Sequence, residues 1–179
     1  VLTDRGGRYV WLEPFAESVT VEFPDPLGTV RCYAVLNDES YTIPRFLRVK
    51  DFEYYAGGSD IETLRALYRL GILSGEPVRV GRASVSPRDL LYRILPSSPR
   101  PSEVIRACEE GELEDAYFAI EVLAEGEVGG EKVESRRFVF FPSQRRINEI
   151  LPGATYITYP TAICVIELLN VLKLSLIHI

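Results

Sequence analysis

The Gly129-Gly130 pair is the feature that most constrains the fold of this 179-residue chain. It separates two segments of strand-type composition, residues 117–128 and residues 131–141. A Gly-Gly dipeptide suits the two-residue turn of a β-hairpin, because both turn positions need backbone angles that glycine adopts without steric cost. We therefore expect a long antiparallel hairpin, with apolar pairs buried at its base and an ion pair near its tip. Its register sets three pairs opposite each other: Phe118 and Phe141, Ile120 and Val139, Glu127 and Lys132.

Strand and helix signals alternate through the rest of the sequence. Alternating apolar and polar residues predict strands at 8–12, 19–23, 29–36, 49–55 and 77–85. Helices are predicted to begin at Ser59, which has capping-box spacing with Glu62, and at Ser86, which precedes a proline. Residues 37–40 are interpreted as a loop and residues 97–101 as a proline-serine linker. The sequence thus predicts an α+β fold: a mostly antiparallel mixed sheet with helices packed on one face.

A final helix is predicted from Pro160 to about Leu172, and it is apolar around nearly its whole circumference. Such a helix must be enclosed by protein, so we expect it to pack on a domain or subunit outside this chain. Three of its residues are then expected to be exposed in the chain alone: Ile163, Ile166 and Val171. Charged residues in the segment make a membrane span unfavourable. Residues 174–179, which include the single histidine His178, are interpreted as a non-native tail.

Composition narrows the class of protein. The net charge is -6 and no lysine-arginine block is present, which argues against a nucleic-acid surface. The three cysteines, Cys32, Cys108 and Cys164, are far apart and flanked by apolar residues, which favours buried thiols in a reducing cytoplasm. Their spacing does not suit a metal site. The absence of methionine leads us to expect the later part of a longer protein.

The familiar catalytic motifs are absent from the sequence. No GxGxxG follows a strand, and neither a P-loop nor an HExxH is present. With His178 as the only histidine, no Ser-His-Asp arrangement can be assembled from this chain. We therefore assign a catalytic role to no residue.

Polar groups that could bind a ligand cluster in residues 8–45. Tyr41, Thr42 and Arg45 lie on one short segment and could hold a carboxylate, and Arg8 with Tyr9 is a second candidate of the same kind. An ordinary surface role is an open alternative for both. Thr155 and Thr158 precede the apolar helix, where anions are favoured, although ordinary capping is the alternative there.

An ordered set of segments resembles the non-Rossmann part of the saccharopine dehydrogenase family, which includes saccharopine reductases, lysine dehydrogenases and carboxynorspermidine synthases. The resemblance covers nearly the whole chain to about Leu172. The segments that carry it are WLEPFAESVTVEFPDPLG, TIPRFLRVKDFEYYAGG, ETLRALYRLGILS, FAIEVLAEGEVGGEKVESRRFVF and GATYITYPTAICVIELL. The arginine-histidine motif of lysine dehydrogenases is not present after Tyr9.

The resemblance implies an NAD- or NADP-dependent oxidoreductase of amino-acid metabolism, lysine metabolism included. It implies hydride transfer at the CH–NH bond of an amino-acid-derived secondary amine or imine. The cofactor would be bound mainly by an N-terminal Rossmann domain outside this chain. Residues 1–150 would bind the amino-acid-like substrate and form a homodimer, and residues 151–173 would return to the Rossmann domain.

Under this interpretation, the substrate-binding residues are Arg8, Tyr41 and Arg45, and the cofactor-side residues are Thr155 and Thr158. The chain alone is expected to be inactive. The alternative is a stand-alone, non-catalytic dimeric binding or scaffold module of the same fold.

Overall fold

Helices and antiparallel strands alternate along the chain, which confirms the α+β class predicted from the sequence. The structure, a computed structural model, describes residues 1–47, 49–113 and 115–173. The predicted tail at 174–179 therefore lies outside the described residues. The chain divides into two units, Val1–Pro96 and Ser97–Ile179. The division falls at the proline-serine linker, which the sequence interpretation had placed inside a single region of residues 1–150.

The first unit contains seven strands and three helices. The strands are β1 (Leu2–Asp4), β2 (Tyr9–Trp11), β3 (Ser18–Glu22), β4 (Thr29–Ala34), β5 (Tyr55–Gly57), β6 (Val78–Val80) and β7 (Ala83–Val85). The helices are α1 (Glu39–Leu47), α2 (Ser59–Arg69) and α3 (Pro87–Ile94). The second unit contains α4 (Pro101–Glu109), β8 (Ala119–Val128), β9 (Glu131–Phe140), α5 (Gln144–Ile150) and α6 (Thr158–Lys173).

The strands do not form the single mixed sheet that was expected. Across the described ranges they form four separate antiparallel sheets: β1-β2, β3-β4-β5, β6-β7 and β8-β9. Alternation along a strand reports which face is buried, and a turn reports the adjacent partner. Neither signal reports whether two hairpins join side by side, so the sequence could not distinguish one sheet from four.

The core of the first unit lies around β4, the central strand of the three-stranded sheet. Cys32, Tyr33 and Ala34 are all buried, so this strand is covered on both faces. The Tyr33 ring meets the Phe15 ring edge-on, with 6.2 Å between the ring centroids. On α2, the Arg65 guanidinium lies 4.7 Å from the Tyr33 centroid. Both contacts hold the sheet against the segments around it.

Helix α1 overlaps the segment that the sequence suggested is a loop, residues 37–40. Helix α1 begins at Glu39, and the Thr42 N–H and hydroxyl both bond to the Asp38 carbonyl oxygen, each at 3.0 Å. Pro44 lies inside the helix and is buried. Proline has no N–H for the carbonyl four residues earlier, so it disfavours the interior of a helix. Packing of α1 against β1 outweighs that preference.

The two predicted helix starts have different outcomes. Ser86 caps α3, because its hydroxyl accepts a hydrogen bond of 3.3 Å from the Asp89 N–H, which confirms the prediction. Ser59 does not cap α2. The capping position is Gly58, and no side chain caps that end of the helix. Gly58 has φ 110°, a conformation that a serine would rarely adopt. Helix α2 therefore begins at Ser59, as predicted, but its capping residue lies one position earlier than the capping-box spacing indicated.

The predicted hairpin forms in the second unit. Gly129 and Gly130 have φ values of 63° and 88°, and Glu127 pairs with Lys132 across the turn. Ile120 pairs with Val139, and the rings of Phe118 and Phe141 lie 5.8 Å apart, so the register is confirmed. The prediction that the apolar pairs at the base of the hairpin are buried is wrong. Ile120 and Val139 are both exposed, because β8 and β9 form a two-stranded sheet with no third strand among the described residues.

Gln144 and Ile147 of α5 anchor the second unit and are almost fully buried. The Gln144 side-chain amide donates to the Ala154 carbonyl at 3.0 Å, and its oxygen accepts from the Tyr156 N–H at 2.8 Å. These two bonds fix the chain just before α6. The start of the final helix is therefore positioned by a buried side chain rather than by packing along α6.

Helix α6 is largely exposed along its apolar surface. Ile166 is 50% exposed, and Ile163 and Val171 are partly exposed. Leu168 and Leu169 are each 52% exposed. No helix within the described residues is long and apolar enough to cross a membrane. Of the three thiols expected to be buried, only Cys32 is, while Cys164 on α6 is exposed.

Candidate functional site

A cleft of about 360 Å³ lies where the β1-β2 hairpin meets α1. It is lined by Asp4, Gly7, Tyr9, Tyr41, Pro44 and Arg45. Four of these side chains carry hydrogen-bonding groups: the Asp4 carboxylate, the Arg45 guanidinium and the phenols of Tyr9 and Tyr41. The cleft therefore presents both an acidic and a basic group within one small space.

The hairpin side of the cleft is fixed by pairing and by a glycine turn. Asp4 and Tyr9 are direct cross-strand partners, so their side chains lie on the same face. Gly6 and Gly7 have φ values of 62° and 74°, which glycine adopts readily. The turn is tied to a neighbouring loop, because the Gly7 N–H donates to the Lys50 carbonyl at 2.7 Å.

The helix side of the cleft uses the spacing of one helical turn. Tyr41 and Arg45 are four residues apart on α1 and share a face. The Arg45 guanidinium donates a hydrogen bond of 3.3 Å to the Tyr41 hydroxyl. The Tyr9 hydroxyl donates to the Tyr41 backbone carbonyl at 2.8 Å, and the two tyrosine rings stack with centroids 5.7 Å apart. The hairpin and the helix are joined by this contact.

Asp4 is the buried charged group of the cleft, and its residue is only 5% exposed. Its backbone pairs with Phe52 through hydrogen bonds of 3.0 and 2.9 Å, which fixes its position. Its Oδ1 atom is buried and accepts no hydrogen bond from any residue that the structure describes. Buried carboxylate oxygens in proteins almost always have a partner, so this atom is a potential ligand contact.

Arg5, which follows Asp4 in the sequence, already forms ion pairs within the chain. Its guanidinium pairs with Glu17 and with Glu53, the second at 2.8 Å. Hydrogen bonds to these two carboxylates raise the Arg5 pKa further above its ordinary value. Burial, aided by a hydrogen bond of 2.9 Å from its hydroxyl to Glu53, raises the pKa of Tyr55 to about 12. Arg45, in contrast, forms no ion pair within the described part of the chain, so it is the cation that can meet a ligand.

The structure brings together two of the three predicted substrate-binding residues. Tyr41 and Arg45 line the cleft and contact each other. Arg8 lies in the turn between β1 and β2, is exposed, and does not line the cleft. Its predicted role in substrate binding stays a prediction. Asp4 was not identified from the sequence, although the Gly6-Gly7 pair is a hairpin signal that would have placed it opposite Tyr9.

Thr155 and Thr158, the predicted cofactor-side residues, cap the start of α6. The Thr155 hydroxyl accepts from the N–H groups of Ile157 and Thr158 at 3.3 and 3.1 Å, and the Thr158 hydroxyl accepts from the Thr155 N–H at 2.8 Å. The next N–H, of Tyr159, bonds to the Thr155 carbonyl, and Pro160 has no N–H. The donors at this helix end are thus already used, and these residues do not fit the phosphates of a dinucleotide.

The described residues contain no group of three or more His, Cys, Asp or Glu side chains placed to hold a metal ion. Comparison of the sequence with protein-family models and with curated proteins found no match. The cleft itself offers three features that a ligand could contact: a guanidinium hydrogen-bonded to a phenol, an aromatic wall and a buried carboxylate.

Proposed function

We propose that this chain is the substrate-binding and dimerisation part of a saccharopine dehydrogenase-like, NAD(P)-dependent oxidoreductase. The proposed reaction is at the CH–NH bond of an amino-acid-derived secondary amine or imine. The observation that carries the proposal is the Arg45–Tyr41 pair on the wall of the cleft. It is the place in the described chain best suited to hold the carboxylate of such a substrate.

The Arg45 guanidinium has hydrogen-bond donors to spare for a ligand. Arginine carries five N–H groups in a planar fork, and Arg45 uses one of them on Tyr41. The remaining donors can form the paired hydrogen bonds that carboxylates accept. Because the Tyr41 hydroxyl holds the guanidinium in place, less side-chain entropy is lost when a carboxylate binds.

The stacked rings of Tyr9 and Tyr41 supply the apolar part of the proposed substrate site. Both side chains are about half exposed, so a ligand in the cleft would cover aromatic surface as it meets Arg45. Small-molecule sites commonly combine such apolar walls with a few placed polar groups. This composition suits a substrate with an aliphatic chain that ends in a carboxylate.

The proposed cofactor, NAD or NADP, would be bound by a Rossmann domain and not by Thr155 and Thr158, whose donors are engaged in capping. Helix α6 supports contact with such a domain, since Leu168 and Leu169 are half exposed and apolar. A cytoplasmic location is part of the same proposal. The chain alone is proposed to bind substrate without turning it over.

A homodimer is part of the same proposal. The β8-β9 hairpin is ten residues long in each strand, and it forms a two-stranded sheet with apolar residues such as Val122 and Val133 exposed. An isolated hairpin of this kind is at most marginally stable in water. A second copy that pairs with it would cover both the apolar residues and the open strand edges.

Calorimetric titration of the wild-type chain with L-saccharopine tests the proposal, with 1,5-diaminopentane as a ligand that has no carboxylate. We expect saccharopine to bind and the diamine not to bind. Equal binding of the two, or binding of neither, would contradict the proposed function. NAD(P)-dependent oxidation of saccharopine by the chain alone would contradict the assignment of catalysis to a separate domain.

A further inference from the structure

We propose that Asp4 is the second charged anchor of the cleft and binds the ammonium group of the ligand. The site would then select a zwitterionic amino-acid head group, with the carboxylate on Arg45 and the amine on Asp4. This inference rests on the proposed function and adds to it the group that distinguishes an amino acid from a plain carboxylic acid.

The burial of Asp4 is the first argument. Its residue is 5% exposed, and its Oδ1 accepts no hydrogen bond from the described residues. Removing a carboxylate oxygen from water without a hydrogen bond in return is costly, so a protein rarely retains one unless it has a purpose. An ammonium donor would supply the partner that the described residues do not.

The position of Asp4 is the second argument. It lines the same cleft as Arg45, yet the two residues form no ion pair with each other in the described structure. If they did, each would neutralise the other and neither would attract a ligand. Kept apart within one cleft, a carboxylate and a guanidinium instead present opposite charges to a molecule that carries both.

The surroundings favour an organic cation over a metal ion. A metal usually requires several oxygen or nitrogen ligands, and no such group of side chains is present among the described residues. Because Tyr9 is the cross-strand partner of Asp4, its ring lies on the same face of the hairpin as the Asp4 side chain. The face of an aromatic ring attracts ammonium groups. One carboxylate beside aromatic rings matches a ligand group with a single positive charge.

Three matched probes test the inference on the wild-type chain by titration calorimetry. L-2-aminoadipate carries the complete head group, adipate is the same molecule without the amine, and 5-aminopentanoate is the same molecule without the α-carboxylate. We expect aminoadipate to bind at least about tenfold more tightly than either analogue, because a hydrogen bond between charged groups has this effect. Adipate binding as tightly as aminoadipate would overturn the role of Asp4 and leave the proposed function intact.

Asp4→Asn supplies the complementary test, with Asp89→Asn in the exposed first turn of α3 as the control. Asp4→Asn should abolish the preference for aminoadipate over adipate, while Asp89→Asn should preserve it. A preference that survives Asp4→Asn in a chain with wild-type circular dichroism and thermal unfolding would overturn the inference. If Asp4→Asn does not fold, the comparison of probes on the wild-type chain decides the question. Binding of none of the three probes to the wild type would overturn the proposed function and this inference together.

Discussion

Asp4 and Tyr9 are cross-strand partners in the β1-β2 hairpin, and the Tyr9 ring stacks on Tyr41 of α1 with 5.7 Å between the centroids. Tyr9 therefore links the strand pair that carries Asp4 to the helix that carries Arg45, in addition to the packing of α1 on β1. The shape of the cleft depends on this link, since Tyr9 also donates a hydrogen bond to the Tyr41 carbonyl.

The Tyr9 hydrogen bond should contribute modestly to stability. Tyr9→Phe removes the hydroxyl that donates to Tyr41 and keeps the stacked ring. We expect the free energy of unfolding to fall by about 0.5–1 kcal/mol, since the bond is at the surface. Urea denaturation measures the change, and Tyr92→Phe on the exposed face of α3 is the control. A loss in Tyr92→Phe as large as that in Tyr9→Phe would show that the hydrogen bond is not the cause.

The two serines that precede α2 and α3 should behave differently. Ser86→Ala removes a capping hydroxyl and should lower the free energy of unfolding by about 1 kcal/mol. Ser59→Ala should change it by less than about 0.5 kcal/mol, because no side chain caps α2. Thermal and urea unfolding of both variants provide the comparison. Equal losses of unfolding free energy in the two variants would indicate that Ser59 also caps its helix, as the capping-box spacing suggested.

Stability should decline in alkaline solution partly because of Tyr55. Burial raises its pKa from 10.0 to about 12, so the unfolded chain releases this proton at a lower pH than the folded chain does. The neutral phenol therefore contributes fully to the free energy of unfolding below pH 10, and this contribution is lost as the pH rises towards 12. Tyr55→Phe should therefore flatten the decline of the unfolding free energy in that interval, measured by denaturant titration. An unchanged slope in Tyr55→Phe would refute the assignment.

Exposed leucines on α6 should be dispensable for the fold of the second unit. Leu168→Glu and Leu169→Glu retain good helix propensity and replace side chains that are 52% exposed. We expect the double variant to reduce self-association of the isolated chain in sedimentation velocity experiments without lowering its unfolding free energy. Ile147→Ala, at a fully buried position in α5, should in contrast cost about 2–5 kcal/mol. A comparable cost for the leucine variants would mean that α6 packs within the chain.

Local signals in the sequence were sufficient for the elements that depend on neighbours in the chain. The Gly129-Gly130 turn gave the complete register of β8 and β9, and Ser86 gave the start of α3. Both are set by interactions within a few residues, where turn and cap chemistry act directly.

Features that depend on distant contacts could not be predicted in this way. Residues 37–40 were interpreted as a loop, yet α1 begins at Glu39 and packs on β1. Tyr41 and Arg45 were identified as a pair from their proximity in sequence, whereas Asp4 reaches them only through the hairpin. The cleft is thus assembled by tertiary packing of two segments, and the sequence shows only one of its walls.

The most direct test of the central claim is the affinity of L-2-aminoadipate for the Arg45→Gln variant, measured by titration calorimetry. Arg69→Gln, in the exposed last turn of α2, is the matched control. The account predicts that Arg45→Gln weakens binding at least about tenfold, while Arg69→Gln binds as the wild type does. Wild-type affinity in a folded Arg45→Gln variant would contradict the proposal that this cleft holds the substrate carboxylate.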